Sequence, residues 1–246
     1  EVWENRPSLP KSKIFIHDVK YCGKTANEKL KAVRLVMKEK NVESYLLTSL
    51  DDIAWLFNIR GGDIKYNPVV LSYAVITLDK AILFIDENKL NDEIKTSFGE
   101  EVVEIKNYFE IYEFVKTINK EEIVLIDSNK ISYSILKNIP AGVKVVNGMN
   151  PSTKFKAQKN SVEIENTKKA HIRDGVAVTK FMYWLKNNIG KIEITELSAA
   201  DKITELRREQ GKFIEESFGT IAGYASNGAI IHYSVTKESN ITQEME

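Results

Sequence analysis

The sequence predicts an α/β domain over residues 1–150, a mixed sheet with flanking helices, followed by an incomplete α+β domain over residues 151–246. Three observations carry this. Short β-rich runs alternate with helical periods through the first part, which implies a sheet with helices on its faces. Two of those runs, Ser72 to Leu78 and Ala81 to Ile85, are separated by Asp79-Lys80 and read as a hairpin, so the sheet is largely parallel with one antiparallel hairpin. The turn-residue cluster Asn147-Gly-Met-Asn-Pro151-Ser-Thr then marks a boundary, and the texture beyond it changes to long helical periods.

In chain order, the apolar run Ile14-Phe-Ile-His17 comes first. The capping-box pattern Thr25-x-x-Glu28 opens a helix whose Leu30, Val33 and Met37 recur at helical spacing. A strand, Tyr45-Leu-Leu-Thr48, follows, and Ser49, with Asp52 three residues on, starts a short helix through Ile53, Trp55, Leu56 and Phe57. After the hairpin the pattern gives a helix at about 88–98, strand Val102–Ile105, and a helix at about 108–118. Strand Ile123–Ile126, a helix at about 131–138 and strand Val143–Val146 complete the domain. Beyond Pro151, Asn160-x-x-Glu163 caps a long helix to about Asn188, with Val178, Phe181, Met182, Leu185 and Ile189 along one stripe. Thr195 caps a second helix with Leu197, Ala200, Ile203 and Leu206 facing inward and Gly211 past its end. Phe218-Gly-Thr-Ile-Ala and Ala229-Ile-Ile-His-Tyr read as two strands joined through Gly223–Gly228. Two helices and one strand pair leave a sheet face and an edge uncovered, so this domain is expected to be unfinished.

Composition narrows the function classes. Lys plus Arg and Asp plus Glu both number 35, so no net field draws in nucleic acid or an anionic membrane. The longest apolar runs are far too short to span a bilayer. The start, Glu1-Val-Trp-Glu-Asn-Arg, lacks the basic-then-apolar pattern of a signal peptide, and the absence of Met suggests a beginning inside a longer chain. The single cysteine, Cys22, excludes an internal disulfide framework and fits a reducing, cytoplasmic compartment.

Few residues invite chemistry. No His-x-x-x-His, Cys pair or strand-borne Asp cluster offers converging metal ligands. Asp51-Asp52 and Glu215-Glu216 are sequence neighbours whose side chains diverge, and they read as cap and surface groups. There is no Gly-x-Ser-x-Gly, Cys22 lacks a histidine partner, and no phosphate-cradling glycine pattern follows a strand. His17 reads as structural or surface, and His171 as a group on a polar helix face beside Arg173 and Asp174. His232 differs: an apolar run and an Asn-Gly turn in Asn227-Gly-Ala-Ile-Ile-His232-Tyr233 would place it at the end of a buried strand. Its pattern leaves a functional and a structural role open.

Several blocks together closely resemble the cytosolic, three-domain Xaa-Pro aminopeptidases (aminopeptidase P), metallopeptidases with a pita-bread catalytic fold. They are Leu50-Asp-Asp-Ile-Ala-Trp-Leu-Phe-Asn-Ile-Arg60-Gly-Gly-Asp63, Tyr66-Asn-Pro-Val-Val70, Ser72-Tyr-Ala, Ala170-His-Ile-Arg-Asp174-Gly-Val-Ala, Glu196-Leu-Ser-Ala-Ala-Asp201-Lys, Ser217-Phe-Gly-Thr-Ile221 and Asn227–Tyr233. The resemblance implies a creatinase-type middle domain followed by the opening portion of the pita-bread domain. It implies hydrolysis of the bond before a penultimate proline by a water held between two divalent ions, manganese as a rule, that lower its pKa. The family's metal ligands, two Asp, one His and two Glu, fall downstream of the stretch matching Asn227–Tyr233, so the chain alone is expected to be inactive with no metal site.

The resemblance further implies peptide partners with proline second and a homodimer, while the balanced charge and short apolar runs point to no nucleic-acid or membrane partner. It assigns His232 to the pocket beside the scissile peptide, as hydrogen-bonding group or proton shuttle. Phe218 matches an apolar position near the pocket for the substrate's first residue, with core packing the other reading. Asp174 and Asp201 match family blocks as scaffold, and Trp55 and Arg60 as motif residues without a derived catalytic role. Two alternatives stay open: a metal-free pita-bread peptide- or histone-binding module, and another pita-bread hydrolase of prolidase or creatinase type. The Trp55–Arg60 segment favours the three-domain aminopeptidase over the latter.

Overall fold

A computed structural model describes residues 3–98 and 103–242. They fall into two units, Glu1–Glu163 and Ile164–Glu246.

The first unit opens with β1 (Phe15–Ile16) and α1 (Val19–Cys22), then α2 (Ala26–Glu39), β2 (Ser44–Leu47), α3 (Leu50–Leu56) and β3 (Ile59–Arg60). It continues through β4 (Tyr73–Thr77), β5 (Ala81–Phe84), α4 (Asp92–Ser97), β6 (Val103–Lys106) and α5 (Ile111–Phe114). β7 (Ile123–Ile126), α6 (Tyr133–Asn138), β8 (Lys144–Asn147) and α7 (Pro151–Ala157) complete it. Val102, expected to begin the strand to Ile105, lies outside the described residues. Thr25 and Glu28 form the reciprocal capping box that starts α2, so the helix begins where two otherwise orphaned backbone N–H groups find acceptors. The helix expected near 88–98 is a 3-10 turn followed by α4, and the one near 108–118 is α5 with a 3-10 turn at each end.

Six strands form one sheet in the order β6-β5-β4-β2-β7-β8. β4 runs antiparallel to both β2 and β5, whereas β5–β6, β2–β7 and β7–β8 are parallel. Successive side chains alternate faces, and the two cores divide accordingly. Tyr45, Leu47, Ala74, Ile76, Leu83 and Leu125 pack with Leu30, Val33 and Met37 of α2 and Ile53 and Leu56 of α3. Leu46, Val75, Ile82, Phe84, Val124 and Ile126 pack with Ile111 of α5 and Ile135 of α6 on the opposite face. Each such large apolar side chain, fully withdrawn from water, contributes roughly 1.5–3 kcal/mol.

The turn cluster at Asn147–Thr153 does not end this unit. Asn150 caps α7 with Pro151 in its first turn, a position where the missing N–H costs nothing. Tyr45 Oη and Ser152 Oγ are 3.0 Å apart. Asp52, expected as a cap or surface group, is only 1% exposed. It accepts from Thr153 Oγ1 at 2.5 Å and pairs with Lys156 at 2.8 Å, while Lys156 also bonds Asp51. These contacts tie residues just past Asn150 to the sheet, and the unit runs on to Glu163.

The long helix α8 (Ser161–Asn188) starts where Asn160 and Glu163 exchange backbone-to-side-chain bonds of 3.0 Å each. In the second unit α8 packs Ala177, Val178 and Phe181 against Ile203 and Leu206 of α9 (Glu196–Glu209). Met182, expected on this stripe, is exposed. Gly211, past the end of α9, takes the left-handed conformation with φ 71°. The two strands expected at Phe218–Ala222 and Ala229–Tyr233 do not form. Residues 217–222 are irregular, a 3-10 turn spans Ala225–Ala229, and Ile221 and Ile231 are exposed. A strand needs a neighbour for its N–H and C=O groups. Among the described residues of this unit, only an isolated bridge between Thr195 and Thr242 provides such pairing.

Candidate functional site

The segment that carries His232 is organised by one carboxylate. Thr195 caps α9 and forms a capping box with Ser198, which places Glu196 at the first helical position. A negative charge there complements the helix dipole. Glu196 is nevertheless fully buried. Its carboxylate accepts from the Tyr224 N–H at 2.6 Å, the Tyr233 hydroxyl at 2.7 Å, the Asn227 amide at 3.2 Å and the Ile241 N–H at 3.3 Å. Burial pushes the Glu196 carboxyl up, but the Tyr224 N–H, then Tyr233, Asn227 and Ile241, together hold it below its ordinary value. Ser239 closes the ring, accepting from Asn227 through its carbonyl at 2.9 Å and lying 3.0 Å from the Tyr233 hydroxyl through Oγ.

The motif Asn227–Tyr233 is therefore anchored at both ends on Glu196, with Tyr233 buried and His232 beside it exposed. His232 adopts φ 56°, a left-handed conformation that costs a non-glycine residue energy and persists only where its surroundings enforce it. It does not end a buried strand, as its sequence suggested; it sits in a turn between two fixed points. Phe218 is also exposed and lines an open cleft of about 440 Å³ with His171, Arg173, Asp174 and Arg207. Arg207 bonds Asp174 at 2.7 Å and reaches Glu216 at 3.5 Å, so the cleft wall is held by paired charges. His232 is not among the residues lining that cleft, so Phe218 and His232 stand on separate features. Asp201 is exposed on α9.

In the first unit, Trp55 and Arg60 belong to a cationic cluster at the C-terminal end of α3. Lys29 is buried, with Nζ donating to the Trp55 carbonyl at 2.8 Å and Asn58 Oδ1 at 2.5 Å, and lying 4.4 Å from the Trp55 ring centroid. Arg60 donates to the carbonyls of Ala54 at 2.6 Å and Ile59 at 2.9 Å. Unfilled helix-end carbonyls favour cations, and these contacts make the block a structural clamp. Burial, then the Arg60 and Lys29 charges, push His17 from 6.5 down to about 4. Unfolded, the imidazole gains its proton near pH 6.5; folded, it stays neutral down to about pH 4. The unfolded state thus binds more protons in that window. Wild-type stability is expected to fall relative to His17→Gln as pH drops from 6.5 to about 4. Urea midpoints of both proteins across the range check this; parallel profiles refute it.

Glu196 did not stand out in the sequence as a candidate site residue. A glutamate directly after a threonine cap ordinarily lies on the surface, and its donors are up to 45 residues away in the chain. The one available signal was that Glu196 and Asn227–Tyr233 both fall in blocks of the family resemblance.

Comparison with known proteins agrees with this architecture. Residues 5–163 match the creatinase/prolidase N-terminal domain family, and residues 165–245 match metallopeptidase family M24. A probable Xaa-Pro aminopeptidase P of Sordaria macrospora is 40% identical over 245 residues, covering 94% of this chain and 40% of that protein. Xaa-Pro aminopeptidase 1 of Dictyostelium discoideum is 38% identical over 244 residues, covering 97% of this chain and 38% of that protein. The crystal structure of X-prolyl aminopeptidase from Caenorhabditis elegans, described as a cytosolic enzyme with a di-nuclear active site, superposes with a TM-score of 0.90. It is 30% identical, and the match covers 99% of this chain and 41% of that one. The chain thus spans about two fifths of the length of these relatives.

Proposed function

This chain belongs to the creatinase/prolidase N-terminal domain family and continues into a metallopeptidase family M24 domain, and from that premise we propose that the full-length protein is a metal-dependent Xaa-Pro aminopeptidase. It removes the N-terminal residue from peptides whose second residue is proline. Proline lacks the amide N–H and fixes φ, so recognition there rests on shape and on groups that contact the scissile carbonyl. The observation that carries the reading is the match of both units, in order, to relatives named Xaa-Pro aminopeptidase.

Within this chain His232 is proposed to hydrogen-bond the substrate or move a proton beside the scissile peptide. Phe218 is proposed to give apolar contact to the first residue. Two divalent ions, manganese by preference, supply the activated water in the full-length protein. Among the described residues no group of three or more His, Cys, Asp or Glu side chains can hold a metal. These residues do not fit the ions, whose ligands are proposed to lie outside this chain. The chain on its own is proposed to be inactive. A homodimer in the cytoplasm is part of the same proposal; no helix among the described residues is long and apolar enough to cross a membrane.

The test is release of the N-terminal residue from an Xaa-Pro-Xaa peptide by the purified full-length protein, against a matched Xaa-Ala-Xaa control. Proline-selective cleavage, abolished by chelator and restored by manganese, is expected. Chelator-insensitive or unselective cleavage refutes the reading, and tight peptide binding without cleavage favours a non-catalytic module instead.

A further inference from the structure

We infer that Glu196 is a positioning residue for this reaction, acting through the Asn227–Tyr233 segment on His232. The inference rests on the role proposed above for His232. It stands on the geometry that ties this carboxylate to both ends of the His232 segment. Glu196 is fully buried, and no lysine or arginine ion pair to it occurs among the described residues. A buried charge is tolerated only when hydrogen bonds satisfy it, and here the donors among the described residues come from the segment around His232. The Tyr224 N–H precedes the motif, the Asn227 amide opens it, the Tyr233 hydroxyl closes it and the Ile241 N–H follows it.

His232 has no strand to fix it. The segment is a 3-10 turn followed by a left-handed residue, φ 56° at His232 itself. Tyr233 is the next residue in the chain and delivers its hydroxyl to Glu196 at 2.7 Å. Asn227 meets the same carboxylate and also donates to Tyr233 Oη at 2.9 Å. The two anchors fix the segment on either side of His232, and His232 itself is exposed. Burial and the adjacent Glu196 carboxylate push the Tyr233 hydroxyl up; a phenol is a donor at neutral pH without any such shift. Glu196 touches neither substrate nor metal in this scheme; it sets where His232 stands.

The test uses the full-length protein and the Glu196→Gln variant, which keeps the side-chain volume but replaces one acceptor oxygen with a donor. On the Xaa-Pro-Xaa peptide, kcat is expected to fall by on the order of 10- to 100-fold, with KM nearly unchanged, because a misplaced catalytic group costs rate more than binding. In a His232→Asn background the same substitution is expected to change kcat less than about 3-fold, since residues acting as one unit are not additive. Equal effects in both backgrounds, or an unchanged kcat, overturn the inference. If Glu196→Gln does not fold, Tyr233→Phe removes a single donor and is judged by the same cycle with His232→Asn. Wild-type protein that cleaves no Xaa-Pro peptide overturns the reading beneath the inference. Active wild type indifferent to Glu196→Gln overturns the inference alone.

Discussion

Replacing His232 by asparagine in the full-length protein is expected to lower kcat for proline-selective cleavage by on the order of 10²- to 10⁴-fold, the range for a positioned proton-transferring group. Asparagine is the informative choice. His232 sits at φ 56°, and asparagine is among the few residues that enter the left-handed region at low cost. The variant removes the imidazole while leaving the turn between Asn227 and Tyr233 intact, because both anchors on Glu196 use other side chains. His232 is exposed, so the thermal midpoint should stay close to wild type. Steady-state kinetics on matched Xaa-Pro-Xaa and Xaa-Ala-Xaa peptides give the readout. A variant with wild-type kcat would remove His232 from the chemistry, and a loss confined to KM would reduce it to ground-state binding.

The largest stability effect is expected in the first unit, at the buried pair Lys89–Asp63. Their charged atoms lie 2.5 Å apart with side chains 3% and 0% exposed. Asp63 also accepts from Ser12 Oγ at 2.5 Å and from the Leu71 N–H at 2.8 Å, so its carboxylate fastens the loop between β3 and β4 to two other segments. Lys89→Ala removes the cation and leaves that carboxylate in the interior with only neutral donors. The expected cost is about 3–5 kcal/mol, read as a fall in the urea midpoint at unchanged slope. The double variant Lys89→Met with Asp63→Asn should recover a large part, because it removes both charges together. A loss under about 1 kcal/mol in the single variant would show that water or a neighbouring group compensates the charge.

How far the fold was legible depended on what fixes each element. Leu30, Val33 and Met37 at helical spacing, and the alternation Ala74-Val75-Ile76 between the two cores, report burial directly, so α2 and β4 could be read from the chain. The family resemblance supplied what spacing could not, namely the order of the two domain types. The place where the first unit ends was less legible. Asn150-Pro151 is a turn signal and equally a helix start, and only side-chain contacts such as Thr153 to Asp52 show that α7 stays with the sheet. The runs at Phe218 and Ala229 have strand composition, yet a strand is defined by its neighbour, and none pairs with them among the described residues. In the candidate site, His232 and Phe218 stood out by motif, whereas Glu196 did not. Its burial follows from tertiary closure and leaves no periodic trace.

The Glu196 ring also has a consequence for the order of synthesis. Its last donor, the Ile241 N–H, is made 45 residues after the acceptor. At ordinary translation speeds of roughly 5–20 residues per second, Glu196 waits on the order of seconds for its full set of partners. Until then the carboxylate must remain hydrated. The first turn of α9 forms on its own local capping box, and the carboxylate gives up its water only when the segment bearing His232 has emerged.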